Sequence, residues 1–71
     1  MTDFAATLSA AIRESLHRNR TVDITVYTDA QLDAVICEAG DSIDLWDDGT
    51  LDVWGTTDEG REWRLCVKIA Y

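Results

Sequence analysis

The sequence predicts a small α+β domain, with an N-terminal helix packed on a mostly antiparallel sheet of four strands. Three observations carry that prediction. Apolar residues recur at four-residue spacing near the N-terminus, four later segments alternate apolar with polar residues, and an Asp-Asp-Gly turn separates two near-identical short runs. With 71 residues the chain has room for one domain and one core. Its 46% apolar content and three Trp residues argue for a folded chain rather than an acidic disordered tail.

Residues 3–19 read as the first helix. Phe4, Leu8, Ile12 and Leu16 form one stripe, with Ala5 and Ala11 beside it. Thr2 or Asp3 supplies an N-cap oxygen, and Arg18 and Arg20 place positive charge where the helix dipole favours it. Residues 21–27 alternate as a strand: Val22, Ile24 and Val26 face one side, and Asp23, Thr25 and Tyr27 the other. Residues 29–39 carry the signals of a short second helix. Thr28 and Gln31 resemble a capping box, Leu32, Val35, Ile36 and Ala39 have helical spacing, and Gly40 suits a stop. The run 34–37 also fits a strand. From residue 42 the pattern is a meander of strands at 42–46, 51–55 and 61–69. The first two are joined through Asp48-Gly49, a strong hairpin signal because Gly accepts positive φ.

Alternation divides the sheet into two faces. Ile43, Leu45, Leu51, Val53, Trp63, Leu65, Val67 and Ile69 join Val22, Ile24 and Val26 on an apolar face, which the helical stripe is expected to cover. The other face receives Asp44, Trp46, Asp52, Trp54, Glu62, Arg64, Cys66 and Lys68, with Tyr27 nearby. A register slip of one residue would exchange the two sets.

The formal net charge is −8, and it is unevenly spread. Residues 1–20 balance at +1 and residues 61–71 at +2, whereas residues 21–60 hold eleven acids and no Lys or Arg. These acids are interleaved with apolar residues, which makes them a folded acidic surface rather than a solvating tail. Such a surface argues against direct nucleic-acid binding, which needs clustered Lys and Arg. It favours a basic partner, or a salt-adapted or GC-rich source in which the acids recognise nothing.

Chemistry-bearing motifs are scarce. No nucleophile elbow, P-loop or HExxH motif occurs, and no apolar run approaches the roughly 20 residues of a membrane span. No basic region precedes an apolar stretch at the N-terminus, so the expected location is the cytoplasm. Cys37 and Cys66 are expected to be buried free thiols, and His17 a surface residue. Aligned on Gly49, the Asp-rich turn places Trp46 and Gly55 where an EF-hand needs oxygen ligands, so the match fails. No catalytic residue, metal or cofactor is expected.

The candidate binding residues are Asp44, Trp46, Asp47, Asp48, Asp52, Trp54, Asp58 and Glu59. Trp supplies large contact area, and a partner meeting these acids should present Arg or Lys, stacking on indole and pairing with carboxylate. With its acidic block from Asp23 to Glu59 on a compact α/β scaffold with an Asp-Asp-Gly hairpin, the chain resembles small phage- and plasmid-encoded inhibitors of host defence. These are the anti-CRISPR proteins and the anti-restriction DNA mimics. The resemblance implies a non-enzymatic inhibitor acting in the host cytoplasm on the nucleic-acid-binding channel of a CRISPR effector or restriction enzyme. Arg64 and Lys68 on the sheet face point to the hairpin end and second helix as the mimicking surface. The alternative is a structural or regulatory module, such as a subunit or an antitoxin-like protein. It would bind a basic partner or dimerise through Trp46 and Trp54. Monomer and homodimer both remain open.

Overall fold

The first helix starts where Asp3, in extended conformation, accepts a hydrogen bond from the Ala5 N–H at 3.1 Å. It ends at Asn19, whose left-handed backbone returns an N–H to the Ser15 carbonyl. The computed structural model describes residues 3–40, 42–46 and 48–71. Its elements run α1 (Phe4–Arg18), β1 (Thr21–Val26), α2 (Asp29–Ala39), β2 (Ile43–Leu45), β3 (Thr50–Thr56) and β4 (Glu62–Ile69). The α+β architecture matches the sequence expectation, and the run 34–37 is helical. Thr2, the other expected cap, lies outside the described residues.

The second helix is fixed by its own first turn. Thr28 Oγ1 accepts from the Gln31 N–H at 3.2 Å, and Gln31 Oε1 reaches back to the Tyr27 N–H at 2.7 Å. This is the expected reciprocal cap, displaced by one residue at its second bond. The hairpin between β2 and β3 closes through Trp46 N–H to the Thr50 carbonyl at 3.0 Å and Gly49 N–H to the Trp46 carbonyl at 3.3 Å. Gly49 stands at φ 85°, a conformation that a side chain would strain.

The strand order is β1-β4-β3-β2. The pairs β2–β3 and β3–β4 are antiparallel, and β1 pairs with β4 in parallel, so the sheet is mixed. Because β2 runs parallel to β1 from the far edge, α2 must cross the sheet between them. Both helices lie on one face, since Leu8 and Ala11 of α1 share a single buried cluster with Val35 and Ala39 of α2.

Beneath the helices the core is built from Leu8, Ala11, Ile24, Val26, Val35, Ala39, Leu51, Val53, Trp63, Leu65 and Val67. The register pairs Val22 with Leu65, Ile24 with Val67, Leu51 with Val67 and Val53 with Leu65, so the predicted apolar face is real. Leu45 departs from it, being 69% exposed. Its side chain points to the helical side, but β2 lies at the sheet edge and its end is left uncovered by the helices. The two thiols depart from their expected burial: Cys66 is half-buried on β4, and Cys37 is exposed on α2 because the buried line of that helix runs through Val35 and Ala39.

In α1 the deepest line is Leu8, Ala11 and Ser15, with Phe4, Ile12 and Leu16 flanking it. Ser15 is 2% exposed and works as a clamp. Its hydroxyl donates to the Arg20 carbonyl at 2.6 Å and accepts from the Arg64 N–H at 2.9 Å, joining α1 to the residue that leads into β1 and to β4. A half-buried backbone group that loses such a partner costs about 1–3 kcal/mol. The Arg61 guanidinium adds a second tie, donating to the Leu16 carbonyl from the β3–β4 turn.

Both edges of the sheet stay unpaired among the described residues, and β1 is the longer of the two edge strands. The Ala70 N–H donates to the Val26 carbonyl at 2.9 Å, so Val22, Ile24 and Val26 turn their backbone groups toward β4. The groups of Thr21, Asp23 and Thr25 consequently face outward.

Candidate functional site

Placing both helices on one side leaves the other side of the sheet uncovered by any described element. Side-chain alternation fills it with polar residues in cross-strand rows. One row reads Asp23, Cys66, Asp52 and Asp44 across the four strands. The row toward the start of β1 holds Thr21, Arg64 and Trp54, and the row toward the hairpin holds Thr25, Lys68 and Thr50, with Trp46 beyond β2.

The acidic row is the centre of this face. Asp44 and Asp52 are directly opposite on β2 and β3, a placement that puts Cβ atoms about 5 Å apart. Asp52 Oδ2 accepts from Trp46 Nε1 at 2.8 Å, which pins the indole on the surface while leaving it 53% exposed. Asp44 and Asp23 are exposed and have no hydrogen-bond or ion-pair partner among the described residues. The Cys66 thiol between Asp23 and Asp52 is pushed up, first by desolvation and then by the negative field of Asp52, Asp23 and Asp48. A thiol held protonated in this way is a poor nucleophile.

The cations on the face are unequal. Arg64 Nε is paired with Glu62 Oε1 at 2.7 Å, two residues away on β4, whereas Lys68 has no ion pair among the described residues. At the hairpin end, Asp48 Oδ1 accepts from the Thr50 hydroxyl at 2.7 Å and from the Thr50 N–H at 3.1 Å. These bonds, the hydroxyl's first, hold the Asp48 carboxyl below its usual range.

The candidate residues read from the sequence fall into two places. Asp44, Trp46, Asp48, Asp52 and Trp54 share the open face or its hairpin end, Trp54 being half-buried. Asp58 and Glu59 lie in the β3–β4 turn, a strand length of roughly 20 Å away from the hairpin. Asp47 lies outside the described residues. Sequence reasoning left Asp23 out of the site. Its outward orientation was legible, but its place in the acidic row depends on the parallel pairing of β1 with β4, for which no local signal exists.

Among the described residues no group of three or more His, Cys, Asp or Glu side chains is arranged to hold a metal ion. No described helix is long and apolar enough to cross a membrane. His17 is exposed on α1, away from the acidic row. What the face offers is an array of carboxylates flanked by indoles. Compared with protein-family models, with curated proteins and with solved structures, the chain matches none, so the reading of this face rests on its own residues.

Proposed function

We propose that this chain is a non-enzymatic binding protein whose open sheet face competes with nucleic acid for a basic protein surface. The observation that carries the proposal is the row Asp23, Asp52 and Asp44 on an uncovered sheet, with Asp48 at its hairpin end and the indole of Trp46 fixed beside it. Strands lie about 4.8 Å apart, so the three carboxylates spread over about 14 Å. One strand of duplex DNA presents a phosphate about every 3.4 Å of axis. The row is sparser than that and shares the face with Arg64 and Lys68, but Arg64 is paired with Glu62, and Asp48 and the −8 charge of the chain add to the negative field. The resemblance to small acidic inhibitors narrows the partner to the DNA-binding channel of a CRISPR effector or a restriction enzyme.

Inhibition then follows from competition. Lys and Arg that hold phosphates are neutralised by carboxylates, and long-range attraction speeds the encounter. Dimerisation through Trp46 and Trp54 is less favoured, because it sets the acidic row against a copy of itself.

The test is displacement of labelled DNA from such an effector or enzyme across a salt series. The expected result is displacement that weakens steeply with salt and is lost in Asp44→Lys with Asp52→Lys, whose fold is checked by circular dichroism. Displacement that ignores both salt and this charge reversal would sink the proposal.

A further inference from the structure

The open face is not flat. Between the acidic row and the row holding Trp54 lies a depression of about 240 Å³, bordered by Asp44, Asp52, Trp54, Thr21, Arg64 and Glu62. We propose that this depression receives one arginine side chain of the basic partner. The proposal rests on the binding role given above and names the group that would anchor it.

Opposed like charges on neighbouring strands are destabilising, and Asp44 and Asp52 are opposed without a cation between them. Trp46 Nε1 occupies only one Asp52 oxygen, and Asp44 has both of its oxygens unpartnered among the described residues. Acceptors for a planar two-pronged donor are thus present on one side of the depression. Trp54 is two residues beyond Asp52 on the same face of β3, and its indole supplies an aromatic wall. Carboxylate and indole together match a guanidinium, whose fork pairs with carboxylate and whose plane stacks on aromatic rings. A lysine ammonium meets the charge but not the plane.

The chain's own nearest cation stands at the rim of the depression and is already paired there. Arg64 is directly across from Trp54, but its Nε is turned along β4 to Glu62. A second copy is a poor donor of the arginine, because each copy brings a charge of −8 to the encounter.

The experiment titrates the protein with N-acetylated tri-arginine amide and, separately, tri-lysine amide, following the indole resonances of Trp54 and Trp46 by NMR. Tri-arginine is expected to shift the Trp54 signal and to bind roughly tenfold more tightly than tri-lysine. Asp44→Asn, at an exposed position, should remove most of that preference. Trp54→Phe should reduce it, with Trp54→Leu as a second variant. Equal affinity for the two peptides overturns the arginine site, as does a tri-arginine response confined to residues away from Trp54. So does self-association that supplies the arginine from a second copy, detected by sedimentation. If the acidic face binds but this depression does not, both peptides bind alike and DNA displacement survives Trp54→Phe. If the binding role itself is wrong, neither peptide binds and no DNA is displaced.

Discussion

The two hydrogen bonds that Asp48 accepts from Thr50 make its carboxylate part of the hairpin's structure as well as of its charge. Its lowered pKa fixes the sign of the pH effect. The ionised form is favoured in the fold, so the contribution is present above the ordinary aspartate value of about 3.9 and is lost as pH falls through the lowered one. Thr50→Val removes the hydroxyl and keeps the backbone bond. Asp48 in that variant should titrate closer to the ordinary value, as read from its side-chain carboxyl carbon by NMR, and an unchanged titration would show that the hydroxyl contributes nothing. At this scale the sequence was least legible. Ser15 reads as a polar interruption of a helix, and only the approach of Arg20 and Arg64 makes it a buried clamp. Leu45 reads as core by alternation, and only the reach of the helices leaves it exposed.

Individual elements were more legible, because helix and strand periodicity, caps and the Asp-Gly turn act over a few residues. Both helices and all four strands fall at their expected places, with ends differing by a residue or two. Pairing between distant segments has no such local signature, which is why the parallel union of β1 and β4 was not readable. Trp63 illustrates how strand pairing constrains composition. It is opposite Gly55, and a Cβ added there would overlap the Trp63 ring. The indole can be 5% exposed only because β3 offers it bare backbone. Gly55→Ala is therefore expected to destabilise the protein by about 1–3 kcal/mol, measured by urea unfolding, through displacement of the ring. Wild-type stability in this variant would mean that Trp63 has another place to go.

For the whole molecule, the helices sort the sheet into a covered face and an open one, and the open face inherits acids from the middle of the chain. The unpaired edge of β1 has a separate consequence. Six residues, Thr21–Val26, form an extended ribbon without Lys, Pro or a bulge, on which another chain can template. Mutual repulsion opposes that growth at neutral pH and fades as carboxylates protonate toward the isoelectric point near 4.2. Light scattering should accordingly rise as the pH is lowered toward that value. Thr25→Pro should suppress the rise, since the Thr25 N–H faces outward and its loss breaks no bond to β4. Equal scattering from the variant would place the association elsewhere. The shared charge of −8 thus bears on the size of the sheet as well as on its partner, since it opposes the meeting of two β1 edges.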